Sequence, residues 1–322
     1  MKKINVILAT YNGAKYVTEQ IQSILLNFAH LPEYECRLLV SDDSSSDETS
    51  AIINRFHEQD ARIELLDNSK KGGVRQNFHH LIMHTTADYT FFSDQDDLWL
   101  PNKMRLFMDR FNELEQQKQG PILVHSDLCV ADKNLSPIHI SMFTYQNLDR
   151  DPVFGKLMVN NSVTGCVMAC NHELFDQARN SRIGESIMHD WYMAMLAKAT
   201  GRVSFVDNSL ILYRQHGGNV LGARSASLGS VLGMVFQDRL SKINELMART
   251  RKQVRSTQTQ AQLFIDDFGP ILKPEDKKLL IDYVESFEKG PFARLRLFCS
   301  HGVRKTGWLR NTFFFLFYVF GL

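Results

Sequence analysis

Four times within the first hundred residues, a short apolar run ends in polar turn residues and gives way to a segment with apolar positions at helical spacing. That alternation is the strongest constraint on the fold, because strand–turn–helix units in series pack as a largely parallel sheet covered by helices. Ile4 to Ala9 runs into the turn signal Thr10-Tyr11-Asn12-Gly13, and a helix follows with Val17, Ile21, Ile24, Leu25 and Phe28 on one face. Arg37 to Ser41 leads through Asp42 to Ser46 into a helix carrying Ile52, Ile53 and Phe56, with Ser45 and Glu48 at capping-box spacing. Ile63 to Leu66 precedes Gly72-Gly73 and a helix with Phe78, Leu81 and Ile82 inward. Tyr89 to Ser93 delivers the chain to Asp94-Gln95-Asp96-Asp97, and Pro101 opens a helix with Met104, Phe107, Met108 and Phe111 on one stripe. Each polar cluster thus follows a strand, at the sheet edge where open α/β sheets bind ligands.

Beyond residue 120 the pattern predicts strands near 122–126 and 166–170, with an irregular stretch between them to about 161. A helix is expected over 191–199, short strands near 203–206 and 210–213, and long helices over about 228–260 and 274–288. A chain of 322 residues suits one large catalytic domain with an appendage. With 37 basic against 36 acidic residues, its overall charge does not favour nucleic acid as a partner. Five scattered cysteines lack the paired spacing of a zinc site and read as reduced thiols of a cytoplasmic protein. The apolar run after Met1-Lys2-Lys3 is too short for a secretory signal.

Asp94, Asp96, Asp97 and the Gln95 carbonyl place several acceptors at one strand end. Like-charge repulsion makes that costly unless a cation sits there, and Mg²⁺ or Mn²⁺ with a diphosphate is the usual answer. The bland alternative has Asp96 or Asp97 capping the next helix.

Several ordered motifs decide between these readings. Val6-Ile7-Leu8-Ala9-Thr10-Tyr11-Asn12-Gly13, Ser41-Asp42-Asp43-Ser44-Ser45-Ser46-Asp47, Phe91-Phe92-Ser93-Asp94-Gln95-Asp96-Asp97-Leu98-Trp99 and His189-Asp190-Trp191 together resemble the family 2 glycosyltransferases. Ser-Asp-Gln-Asp-Asp, with Tyr213-Arg214-Gln215-His216 later, is similar to the bacterial rhamnosyltransferase branch. The resemblance covers about residues 3 to 222 and implies a GT-A fold: a Rossmann-like, mostly parallel sheet flanked by helices. It implies a catalytic domain over 1–222, split into a nucleotide-binding half (1–100) and an acceptor half (101–222), followed by a helical region over 223–322.

The resemblance also implies roles. Thr10, Tyr11, Asn12 and Asp43 would hold the donor nucleotide, with Tyr11 stacking on the base and Asp43 accepting its imino proton. Gly72, Gly73 and Asn77 would line the sugar-nucleotide. Asp96 would bind the metal, joined by His216, and Asp94 would contact the ribose or the metal through water. Asp190 would be the base for the acceptor hydroxyl, where its position alone suggests a helix cap. Thr164 and Gly165, with Trp191, would meet donor sugar and acceptor. The expected reaction is an inverting transfer from a nucleoside-diphosphate sugar, dTDP-rhamnose or a UDP-hexose, to a growing, lipid-linked surface glycan such as O-antigen or capsule. A nucleotidyltransferase should carry a Gly-rich basic loop near the first strand, and Thr10 to Ala14 is not one; a non-catalytic sugar-nucleotide-binding module is the other rival.

From Gly290 to Leu322 there is no acidic residue, while Arg294, Arg296, Arg304, Lys305 and Arg310 are basic. The chain closes on the aromatic run within Thr312 to Leu322, too short to span a bilayer yet suited to lying in its interface. Basic residues beside it predict peripheral contact with an anionic inner leaflet of the bacterial plasma membrane. The alternative packs this helix on the catalytic domain or in a homodimer interface.

Overall fold

The structure, a computed structural model, describes residues 1–216 and 239–321. The described chain contains β1 (Lys3–Thr10), α1 (Val17–Ala29), β2 (Glu35–Asp42), α2 (Thr49–Gln59), β3 (Ile63–Leu65), α3 (Val74–Met83), β4 (Tyr89–Ser93), β5 (Leu98–Trp99) and α4 (Lys103–Gln117). There follow β6 (Ile122–Ala131), β7 (Pro137–His139), α5 (Met142–Gln146), α6 (Phe154–Val159), β8 (Met168–Asn171), α7 (His172–Arg179), α8 (His189–Thr200) and β9 (Arg202–Arg214). Four helices complete it: α9 (Arg239–Phe268), α10 (Pro274–Val284), α11 (Pro291–Ser300) and α12 (Trp308–Phe320).

The sheet runs β3-β2-β1-β4-β8-β6-β9-β5, with β7 on β6. β3, β2, β1 and β4 are parallel, β8 runs antiparallel to both β4 and β6, and β6 and β9 are again parallel. The sequence-derived stripes face inward: Val17, Ile21, Ile24 and Phe28 of α1 and Met104, Phe107, Met108 and Phe111 of α4 are buried. Each such side chain contributes about 1.5–3 kcal/mol by leaving water.

Chain contacts divide the molecule into two units, Met1–Met142, Val163–Ala197 and Gly201–Gly222 against Phe143–Ser162, Lys198–Thr200 and Ala223–Leu322. The expected domain boundary at 222/223, and residues 228–238 of the expected long helix, lie outside the described residues. That helix continues to Phe268, beyond the expected 260.

Several local expectations need correction. Cys166 lies in a 3₁₀ turn, Gly165–Val167, so the strand starts only at Met168. Residues 203–213 belong to one strand, β9, with irregular pairing to β6 near Ser126 and Asp127. The stretch expected to be irregular before 161 contains β7 and the short helices α5 and α6. The capping box fails because Asp42 captures Ser45 through both its backbone N–H (2.8 Å) and its hydroxyl (2.6 Å), while Asp47 Oδ1 accepts the Thr49 N–H (3.0 Å).

In the second unit α12 is amphipathic. Phe314, Phe317, Tyr318 and Val319 are buried, with the Tyr318 ring 5.8 Å from Tyr283. Trp308 and Phe320 are exposed, as is Phe292 on α11. Two of the five expected surface cations turn inward. Arg294 donates to the Val319 carbonyl (3.0 Å) beneath Phe287, and Lys305 donates to the Val159 carbonyl, where burial pulls its pKa down to about 7. Arg296, Arg304 and Arg310 stay exposed. No described helix is long and apolar enough to cross a membrane.

Candidate active site

At the carboxyl ends of β1, β2 and β4 the first unit opens into a cavity of about 490 Å³. Thr10, Tyr11, Asp43, Gly73, Asn77, Asp94, Asp96, Thr164, Gly165 and Asp190 all line it, so expected positions from six separate segments meet. Asn12, Trp191 and His216 do not.

The base side is built from backbone amides. Asp43, buried at the end of β2, accepts N–H groups from Lys71, Gly72 (3.0 Å) and Gly73 (2.6 Å). Burial pushes its carboxyl up, but these bonds prevail and hold it below the usual range. Gly72 and Gly73 reach this arrangement at φ of 98° and 107°, which side chains disfavour. Oδ1 thus takes two donors and Oδ2 one, which leaves Oδ2 with a further lone pair to accept another donor. Asn77 stitches the strand ends, donating to the Thr10 (3.2 Å) and Ser41 (3.0 Å) carbonyls, and its Oδ1 has no partner among the described residues. The Thr10 hydroxyl is spent on Asp42 (2.7 Å), so Thr10 serves as wall, while the Tyr11 ring is 56% exposed and open to stacking.

Asn12 is diverted from the nucleotide role. At φ 48° its side chain turns over the serine loop and accepts the Ser46 N–H (2.9 Å). Gln95 also differs from expectation: its amide pairs in both directions with the Tyr11 backbone, accepting N–H (2.8 Å) and donating to C=O (2.9 Å). It joins the first loop to the aspartate loop instead of adding an acceptor to the cluster. A Cβ on Gly13 would collide with this amide, so the Gln95–Tyr11 pairing needs the space that glycine leaves at 13.

The opposite side is acidic. Burial first, then the charges of Asp96 and Asp190, push Asp94 up to about 7. Asp97 is also pushed well above its ordinary range, first by burial and then by the charges of Asp96 and Asp94, against which the Arg214 N–H and the Cys166 thiol act. Asp94, Asp97 and Cys166 present ligand atoms within 4.8 Å of one another. Burial raises the Cys166 thiol far above its ordinary pKa, so it stays protonated and the oxygens are the usable donors. Asp96 meets His216, Nε2 to Oδ2 at 2.7 Å, which brings the two expected metal ligands together. These carboxylates and one imidazole fit a hard divalent cation.

Strand register explains that meeting. β5 pairs antiparallel with β9, Leu98 opposite Leu212 and Trp99 opposite Ile211, so the chain just before β5 runs beside the chain just after β9. Arg214 locks the crossing: its N–H donates to Asp97 Oδ1 (3.2 Å), Nε to the Asp96 carbonyl (2.8 Å) and Nη2 to Glu19 (2.5 Å), with its plane over Tyr16. Sequence reading noted Arg214 only within a motif. Lys103 was missed altogether, since a lysine opening a helix reads as solvated; it is fully buried and donates to the Cys166 carbonyl (2.7 Å).

Asp190 is the second residue of α8, two past the N-cap Met188, so it is not the cap expected from its position, although its carboxylate accepts the Trp191 N–H (2.6 Å). One residue further the helix has turned by about 100°, which carries Trp191 out of the cavity wall and into the interior. His189, buried between Phe78 (4.1 Å) and Phe92 (5.3 Å), is pulled by burial down to about 3 and stays neutral. Gly165 packs against it, where a Cβ would stand 3.2 Å from Nε2.

Comparison with known proteins agrees with this geometry. Residues 5–155 match the family described as glycosyl transferase family 2. The dTDP-rhamnosyl transferase RfbG of Shigella flexneri is 25% identical over 267 residues, 75% of this chain and 84% of that protein. Glycosyltransferase GlyG of Streptococcus pneumoniae is 22% identical over 68% of this chain and 72% of its own length. S. aureus TarS 1–349, solved in complex with UDP-GlcNAc, superposes with a TM-score of 0.52 at 14% identity, covering 91% of this chain and 83% of that one. The mannosyltransferase PcManGT of Pyrobaculum calidifontis, solved with GDP-Man and Mn²⁺, gives 0.51 at 16% identity over 92% and 73%. Both structures bear on the fold alone. The match over residues 5–155 and the named relatives mark the chain as a glycosyltransferase, and its sheet is of GT-A type.

Proposed function

We propose that this chain transfers a sugar, with inversion, from a nucleoside diphosphate to a growing, lipid-linked bacterial surface glycan, with L-rhamnose from dTDP-rhamnose as the leading donor. The observation that carries the reading is the convergence of Asp94, Asp96 and Asp190 on one cavity beside the Asp43 loop. The acceptor oxygen attacks the anomeric carbon while Asp190 takes its proton, and the bond from that carbon to the diphosphate oxygen breaks on the opposite face. Asp96 and His216, with Asp94, would hold Mg²⁺ or Mn²⁺. Such an ion would neutralise charge developing on the departing diphosphate. Thr164 and Gly165 line the side where sugar and acceptor meet. Similarity to RfbG favours rhamnose; a hexose donor such as UDP-glucose is the second reading, favoured by similarity to a Campylobacter jejuni β-1,3-glucosyltransferase, 28% identical over 128 residues.

Incubation with dTDP-rhamnose, UDP-GlcNAc, UDP-glucose and GDP-mannose plus Mn²⁺, read as released nucleoside diphosphate, tests the donor. Turnover confined to a UDP-sugar would reject rhamnose.

Membrane contact is part of the proposal. Phe292, 86% exposed, and Trp308, 72% exposed, belong to the same helical unit as Arg296, Arg304 and Arg310, and no acidic residue follows Gly290. The triple variant Phe292→Ser, Trp308→Ser, Phe320→Ser should lose sedimentation with phosphatidylglycerol vesicles. Unchanged sedimentation would discard membrane contact through these residues.

A further inference from the structure

A cation removed from water at the base of an anionic cavity is costly to retain unless its partners compensate. Lys103 is such a cation. It is the first residue of α4, where a helix N-terminus disfavours positive charge, and its side chain is fully buried. Nζ donates to the Cys166 carbonyl at 2.7 Å and sits 3.3 Å from the centroid of the Trp99 ring. Its own N–H is bound to the Leu100 carbonyl at 3.1 Å, so the ammonium is anchored to the turn by which the chain leaves Asp94–Asp97. Burial pulls its pKa down to about 7, and the charges of Asp97 and Asp94 act against that pull. The carbonyl it holds belongs to the turn Gly165–Val167, whose first residue lines the cavity with Thr164.

We propose that Lys103 is a positioning residue that fixes the spacing between the Asp94–Asp97 loop and the Thr164–Gly165 wall. Resting on the functional reading above, the first of these segments holds the diphosphate and the second meets the sugar and acceptor. Their separation therefore sets the line along which the acceptor oxygen approaches the anomeric carbon. A displacement of about 1 Å in such a geometry costs on the order of 10²-fold in rate. The nucleotide is gripped elsewhere, by Tyr11 and by Asp43, whose carboxylate the Gly72 and Gly73 amides hold in place, so donor affinity should be largely independent of Lys103.

The test compares the full-length chain with K103M, which keeps length and apolar bulk, and K103Q, which keeps a hydrogen-bond donor without the charge. K103M is expected to lower kcat about 10- to 100-fold, the range for residues that orient metal ligands, with donor KM and Mn²⁺ affinity by electron paramagnetic resonance close to wild type. K103Q should recover part of that loss. Hydrogen exchange at the Cys166 and Val167 amides should accelerate in K103M, a readout that needs no turnover. Wild-type kcat in K103M, or unchanged exchange at those amides, overturns the tether. Proportional loss of kcat, donor affinity and Tm in both variants also overturns it, since that pattern marks a purely structural lysine. Failure of the wild-type chain to bind Mn²⁺ would instead reject the metal reading, and the exchange comparison would still judge Lys103.

Discussion

The two sides of the cavity are built on opposite principles. On the base side nearly every polar group has a partner: Asp43 is wrapped by amides, Asn12 is bound to the serine loop, and Gln95 is paired with Tyr11. On the acidic side, burial and mutual repulsion push Asp94 and Asp97 up. The contrast shows where binding energy is to be realised. A satisfied loop recognises without reorganising, whereas a repelling carboxylate cluster gains most when a cation arrives.

That difference can be broken from the acidic side first. Asp96→Ala should cost about 10⁴-fold in sugar transfer, several kcal/mol of transition-state stabilisation, and abolish Mn²⁺ binding by electron paramagnetic resonance; retained binding would remove Asp96 from the ligand set. Asp190→Asn should lower kcat about 10³-fold, within the usual contribution of a general base, while nucleotide affinity by calorimetry holds, and full turnover would end its role. On the base side the effect should appear as stability. Gly13→Ala forces the Gln95 amide aside and should destabilise the first unit by about 1–3 kcal/mol in urea unfolding; an unchanged midpoint would mean that the Gln95–Tyr11 pairing is dispensable. The smallest expected effect is that saturating Mn²⁺ raises Tm by about 2–4 °C, a gain near 1 kcal/mol. An equal gain in Asp96→Ala would place the ion elsewhere.

The first four strands and their helices were legible because their apolar periods are local properties, and Phe78, Leu81 and Ile82 are buried as spacing implied. Aspartates could be recognised as a group because they cluster after β4. What escaped reading were contacts between distant segments. Gln95 meets Tyr11 across 84 positions and Lys103 meets Cys166 across 63, and neither side chain's local pattern announces a distant partner. β5 has two residues, too few to show a period. Asn12 and Trp191 lie off the cavity wall because motif position conveys proximity but not direction; a positive φ and a helical turn send their side chains elsewhere.

The pairing of β5 with β9 makes the meeting of Asp96 and His216 a matter of counting. Asp96 lies two residues before Leu98 and His216 four after Leu212, and those two leucines face each other. A single residue inserted between Leu212 and His216 would shift everything after it by one position and reverse which side chains turn toward the aspartates. Gln215 would then occupy the ligand place now held by His216. The length of this strand end would therefore decide which side chain reaches Asp96, an imidazole or an amide.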